Sequence, residues 1–159
     1  MSQYMNLIGK NARNATLKKI NTKVKNKILK NYASLLDKER NSIMKENSKD
    51  IKFALKKGLK KNLIDRLAIN HKKLDNIRAS VNKIIKLKDP IDNTLEKWSR
   101  PNGLKIKRVS IPIGVIGVIY ESRPNVTSDV ASLCFKSGNA VILKGGSEAI
   151  NTNKILAKL

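Results

Sequence analysis

The sequence predicts an α/β protein in which a helical N-terminal half leads through a β-hairpin into a βαβ unit of a parallel sheet. Three observations carry that reading. From Asn6 to about Lys88 apolar residues recur at spacings of three and four, the period of an amphipathic helix. Between residues 94 and 112 the period falls to two, as in a strand with one covered face. From Val115 onward two dense apolar runs flank a polar elbow and a helix-period segment, the pattern of parallel strands buried on both faces.

Each element follows from its residues. Ile20, Val24, Ile28, Tyr32 and Leu35 make one helical stripe with lysines between them. Ser48 is placed to cap a helix carrying Ile51, Phe53 and Leu55, because a serine hydroxyl accepts from the orphan amides of a first turn. Gly58 is placed to stop it, glycine being the residue that enters the left-handed region without a Cβ penalty. Asn70 opens a further helix through Leu74, Ile77, Val81, Ile84 and Ile85. Asp89-Pro90 closes the helical region, since proline lacks the amide and disfavours helix in its predecessor. Pro101-Asn102-Gly103 reads as the turn between the extended segments TLEKWSR and LKIKRVSI, with Trp98 either covering the hairpin or meeting another subunit. Then come a strand over 115–120, a helix over 126–136, a Ser137-Gly138-Asn139 turn and a strand over 140–144, with a new helix starting at Ser147 or Thr152. The expected units are a helical region over 1–92, a hairpin arm over 93–112 suited to joining subunits, and the start of an α/β domain over 113–159.

Composition bounds the function classes. The 159 residues, 40% of them hydrophobic, suffice for one domain with a core. The net charge is +22, yet residues 109–159 hold five Lys/Arg against three Asp/Glu, so about +20 belongs to residues 1–108. Such helices attract polyanions in a salt-sensitive way, so a basic nucleic-acid-binding module is one reading. The lysines are spread over several helices, however, and aromatics are 4%, which leaves little equipment for stacking bases. No specific nucleic-acid partner is expected. A single cysteine excludes an intrachain disulfide framework, MSQYMNLIGKNARN lacks a signal-peptide core, and the longest apolar run, residues 111–120, is half the roughly twenty residues of a membrane span. The expectation is a cytoplasmic protein with no membrane partner.

Few residues carry chemistry. His71 is the sole histidine and has no cysteine or carboxylate at ligand spacing, so no metal site is expected. Cys134 lies on a predicted helix beside Val126, Val130 and Leu133, where a cysteine is a small buried hydrophobe. Neither G-x-G-x-x-G nor the nucleoside-triphosphate loop is present. Read from the residues, Asn125 is the cap of the helix from Val126 and Arg123 a loop arginine, solvated or attracting an anion. Lys144, Gly145, Gly146 and Ser147 form a strand-to-helix turn whose amides and hydroxyl suit a phosphate.

The long segment RVSIPIGVIGVIYESRPNVTSDVASLCFKSGNAVILKGG, residues 108–146, resembles the signature of the gamma-glutamyl phosphate reductase family, also called glutamate-5-semialdehyde dehydrogenases, within the aldehyde dehydrogenase superfamily. NSKDIKFALKKGLKKNLIDRLAIN, residues 47–70, is similar to that family's helical region, and the resemblance covers essentially the whole chain. It implies an incomplete aldehyde dehydrogenase-like fold whose 113–159 segment begins a Rossmann-like NADP-binding domain. It implies NADPH-dependent reduction of L-glutamate 5-phosphate to L-glutamate 5-semialdehyde and phosphate in proline biosynthesis. In that family a cysteine thiolate displaces phosphate to give a thioester, a good fit to an acyl phosphate. Family proteins are longer, and that cysteine lies in a later segment, so the chain is expected to lack the catalytic cysteine domain, to be truncated and to be inactive alone. A non-catalytic remnant is the alternative. The resemblance makes Asn125 an oxyanion donor, a role that contributes about 3 kcal/mol in a transition state. It assigns Arg123 to the substrate, and Lys144, Gly145, Gly146 and Ser147 to NADPH. It also implies a homo-oligomer and a glutamate 5-kinase that channels substrate. Position 125 and the glycine pair are expected to face one shared cleft.

Overall fold

Apolar spacing and asparagine caps build the helices of the first half. A computed structural model describes residues 3–159 and places α1 at Gln3–Thr16, α2 at Thr22–Lys38, α3 at Arg40–Lys56, α4 at Lys61–Leu67 and α5 at His71–Lys86. The Asn21 side chain accepts from the amide of Val24 at 2.9 Å to start α2, and Asn70 accepts from Lys73 at 2.8 Å to start α5, as expected for Asn70. Gly58 follows the end of α3 with φ +67°, the conformation that favours glycine there. The expectation for Ser48 fails: α3 runs straight through it, and its hydroxyl donates to the Met44 carbonyl one turn back at 2.9 Å. A serine mid-helix satisfies itself in this way without interrupting the ladder.

The predicted stripe of α2 is also shifted. Its buried face is Lys25, Leu29, Ala33 and Leu36, whereas Ile20 precedes the helix and Val24 and Ile28 stay largely exposed. Leu29, Leu36, Ile43, Leu74, Ile77 and Val81 form one core with Leu156 from the far end of the chain. Burial of each such aliphatic contributes roughly 1.5–3 kcal/mol, and it joins the helical half to the α/β half.

Buried polar groups fix how the halves meet. Asp50 on α3 is 1% exposed and accepts from the amides of Asn151 and Thr152, the Asn151 side chain and the Thr152 hydroxyl. It thereby supplies acceptors to the first turn of α7 (Ile150–Lys158), which has no side-chain cap from its own sequence. One turn earlier, Asn47 donates to the Leu67 carbonyl and accepts from the Ile69 amide. Two lysines are buried as well. Lys25 pairs with Asp89 at 3.0 Å, and Lys136 donates to Asn26 and to the Ile85 carbonyl.

The hairpin consists of β1 (Thr94–Ser99) and β2 (Lys105–Val109), antiparallel. Leu95 and Leu104 are exposed, and Trp98, 39% exposed, lies across from Ile106, the half-buried residue of β2. The βαβ unit is β3 (Val115–Tyr120), α6 (Asn125–Lys136) and β4 (Ala140–Gly145), with β3 and β4 parallel in register from Val115 beside Ala140 to Tyr120 beside Gly145. Helix α6 packs on β4, while Val115 and Ile119 on β3 remain exposed. Cover on both faces was expected, and among the described residues β3 receives it on one.

Candidate functional site

Parallel register decides where the two loops go. Because Tyr120 lies beside Gly145, the loops after β3 and β4 leave the sheet side by side at its carboxyl end, the end where open α/β sheets bind ligands. The first loop is the elbow 121–124 and the second begins at Gly146, with a short 3₁₀ turn at Ser147–Ala149.

One carboxylate ties the loops together. Ser122, buried and held at φ +28°, donates to Glu148 from both its amide, at 2.6 Å, and its hydroxyl, at 2.9 Å. Burial alone would raise the Glu148 carboxyl, but its own backbone amide and the two Ser122 donors outweigh that and hold it below the usual range. Side chains crowd the glycine pair. A Cβ on Gly146 would stand 2.1 Å from a Glu148 oxygen, and one on Gly145 would stand 2.1 Å from Asn153 Nδ2 and 3.1 Å from the Tyr120 ring. Beneath them the Tyr120 hydroxyl bonds Thr127 at 2.6 Å, which donates on to Asn153 at 3.0 Å.

Lys144 and Ser147 differ from these packed neighbours. Both are exposed and, among the described residues, neither makes a side-chain hydrogen bond or ion pair. With Leu59, Leu63 and the carboxylates of Glu121 and Glu148 they line a cleft of about 370 Å³. An ammonium and a hydroxyl left uncommitted at a sheet's carboxyl end are chemically fit to hold a phosphate monoester.

Asn125 does not cap α6. It is the first helical residue, and Pro124, already in helical conformation, occupies the cap position without a side-chain bond. The first turn closes instead through Val126 to Arg123 and Thr127 to Pro124 backbone bonds. Proline's fixed φ preorganises that turn, so the capping role is not needed. The Asn125 amide nitrogen donates to Asp129 at 3.1 Å. Both lie in a second cleft, of about 260 Å³, with Arg66, Lys73, Asn76 and Ile77. Asn125 and the glycine pair therefore share one end of the sheet but line separate clefts. Arg123 is exposed in the elbow between them.

The remaining candidates are structural. Cys134 is 7% exposed on α6, and burial pushes its thiol up, the reverse of an activated nucleophile. His71 opens α5 directly after its cap. Among the described residues no group of three or more His, Cys, Asp or Glu is placed to hold a metal, and no helix is long and apolar enough to cross a membrane. Sequence reasoning passed over Ser122, Glu148, Asn153 and Asp129. Glu148 was the legible one, an acid set one residue after an exposed serine in an otherwise phosphate-friendly turn.

No family model matches the sequence. The chain is similar to the gamma-glutamyl phosphate reductase of Sulfurihydrogenibium sp. (strain YO3AOP1), 46% identical over 159 residues that span 99% of this chain and 36% of the relative. Its structure matches the crystal structure of gamma-glutamyl phosphate reductase from Saccharomyces cerevisiae with a TM-score of 0.92 at 35% identity, over 99% of this chain and 40% of that one. The enzyme of the same name from Thermotoga maritima matches with a TM-score of 0.89 at 44% identity, over 92% and 36%. The chain spans about a third of the length of the relatives it matches.

Proposed function

The chain belongs to the gamma-glutamyl phosphate reductase family, of which it spans the N-terminal portion, and from that premise we propose that its two loops serve the NADPH-dependent reduction of L-glutamate 5-phosphate to L-glutamate 5-semialdehyde and phosphate, a step toward proline. The observation that carries the reading is the uncommitted pair Lys144 and Ser147, exposed over a cleft and joined to the elbow through Glu148.

NADPH supplies the hydride when bound. Lys144, as a compact point charge, and the Ser147 hydroxyl hold the ribose 2′-phosphate that separates NADPH from NADH. Gly145 and Gly146 line the same cleft between them. Glu121 and Glu148 line the same cleft as Lys144; Glu148 is held by Ser122, and among the described residues neither carboxylate forms an ion pair with the lysine.

At the reacting carbonyl, negative charge develops on oxygen. The Asn125 amide has two hydrogens; Asp129 accepts one and fixes which way the amide faces. The second hydrogen is left for the carbonyl oxygen, a preorganised donor that contributes about 3 kcal/mol. Arg123 draws the acyl phosphate to the elbow. Cys134 is the sole cysteine and is buried with a raised pKa, so these residues bind and orient without supplying the thiolate. The hairpin, with Leu95, Trp98 and Leu104 exposed, joins a second copy.

The test is coenzyme binding to the full chain by NADPH fluorescence. Lys144→Ala should weaken NADPH about tenfold, the loss of one charge-assisted contact, and leave NADH unchanged. Equal affinity of the two coenzymes for the unmodified chain would sink the assignment.

A further inference from the structure

Among the described residues one buried side-chain oxygen has no hydrogen-bond partner, Asp129 Oδ1. A carboxylate offers about four acceptor sites, and Asp129 uses one, for a neutral amide at 3.1 Å. No lysine or arginine pairs with it. A buried polar atom left this way asks for an explanation, and a bound cationic group is the one its surroundings fit.

The cleft that Asp129 lines lies between α4, α5 and the start of α6 and holds a complementary charge. Arg66, in the last turn of α4, is exposed, and its guanidinium forms no ion pair among the described residues. Lys73 is committed elsewhere: its ammonium donates to the carbonyls of Asp65 and Ala68, closing the end of α4. Asn76 adds an exposed amide. One uncommitted guanidinium, one under-satisfied carboxylate and one amide, around about 260 Å³, form a small two-signed site. It is below the ~300–1,000 Å³ of pockets for drug-sized ligands.

We infer that this cleft binds the zwitterionic head of an α-amino acid, with Asp129 taking the α-ammonium and Arg66 the α-carboxylate. The inference rests on the proposed reading, whose acyl phosphate is a derivative of such an amino acid. It assigns the end of the molecule that does not react. Asn125, itself exposed, lines the same cleft, so a substrate anchored by its head has that amide within the cleft that holds it. Asp129 thus has two tasks, holding Asn125 through one oxygen and the ligand's ammonium through the other.

The experiment titrates the ¹⁵N-labelled full chain with L-glutamate, with glutarate, which lacks the α-ammonium, and with 4-aminobutyrate, which lacks the α-carboxylate. L-Glutamate should shift the amides of residues 66, 76, 125 and 129, and each truncated ligand should bind about tenfold more weakly or less. Asp129→Asn keeps an acceptor for Asn125 and should cost L-glutamate about tenfold while leaving glutarate unchanged. Arg66→Ala, at an exposed site that does not threaten folding, should leave 4-aminobutyrate unchanged and weaken L-glutamate. Equal binding of all three ligands, or shifts confined to other residues, would overturn the inference, as would no shift at all at millimolar L-glutamate. NADPH binding measured on the same sample separates the two readings: coenzyme without glutamate defeats this inference alone, and glutamate without coenzyme defeats the coenzyme assignment alone.

Discussion

Removing the Asp50 carboxylate should unpin α7 from α3, and the size of the loss follows from what is left behind. Asp50 receives four donors, at 3.1 and 2.8 Å from Asn151 and at 2.8 and 2.6 Å from Thr152. In Asp50→Ala the two Thr152 donors, on a residue 0% exposed, face no acceptor and no water. Each such orphan costs about 1–3 kcal/mol, so the expected loss is about 2–6 kcal/mol. The Asn151 donors are half exposed and find water, adding little. Against the ~5–15 kcal/mol of an ordinary domain this is a large fraction. Urea unfolding followed by helical circular dichroism measures it, read as a lower midpoint at unchanged slope. Asp50→Asn keeps one acceptor but turns an NH₂ toward the other donors, so it should fall between and remains measurable if the alanine variant is unfolded. Thr152→Val in both backgrounds isolates the pair, with a coupling of about 1 kcal/mol or more expected. An Asp50→Ala chain within about 0.5 kcal/mol of the parent would refute the reasoning, because it would mean the carboxylate supplies nothing that water does not.

Two further outcomes follow from titrating groups. Asp89 is pushed up by burial, but donation from Lys25, Thr22 and the Ile91 amide together with the Lys25 charge prevails, and it sits below its usual value, as Glu148 does. Depressed native values mean that their contribution to stability is complete above the ordinary carboxylate range, about pH 4, and is lost as pH falls through the lower native values. The Asp89→Asn, Glu148→Gln double variant should therefore show a flatter fall of the urea midpoint between pH 5 and 2 than the parent, and an identical slope would contradict the assignment. Cys134, buried with its thiol pushed up, should resist a disulfide reagent at pH 7.5 in the native chain and react promptly in urea; fast native labelling would place it at the surface.

The parts of the fold that sequence makes legible are those where a residue's local preference and its tertiary role agree. Asn70 and Gly58 act where local chemistry puts them, and β3, α6 and β4 lie where the apolar runs and the Ser137-Gly138-Asn139 turn require. Ser48 misleads because a serine has two local solutions, a cap or a bond to the preceding turn, and packing of Asn47 and Asp50 on the same helix selects the second. Those two residues look like solvent-facing polar positions in a lysine-rich helix. Their roles depend on Thr152, about a hundred positions away, which no local period reveals. The α2 stripe slips by one residue for a related reason. Lys25 is long enough to reach Asp89 and the Lys136 carbonyl, so a lysine occupies a core-facing position that apolar counting gives to Val24. At the site, Lys144 and Ser147 are legible as uncommitted groups at the end of a strand. Asn125 is not, because Pro124 takes over the cap and frees its side chain for Asp129.

An acid one residue from Ser147 looks out of place in a turn proposed to hold a phosphate, and Glu148 has a structural role there. Its Oε1 takes two donors from Ser122, which ties the carboxylate at the edge of the cleft to the elbow and keeps it ionised. That tie holds Ser122 at a positive φ that a serine seldom adopts, and so fixes the path of the elbow into Arg123 and Pro124. A Cβ at position 146 would displace the same carboxylate. The proposed coenzyme-facing loop and the proposed substrate-facing elbow are thus set relative to each other by one residue at the edge of the cleft. Holding reactants in a fixed geometry is a large part of what an active site contributes, and here the geometry is set by a carboxylate whose charge, read from sequence alone, points to the opposite conclusion.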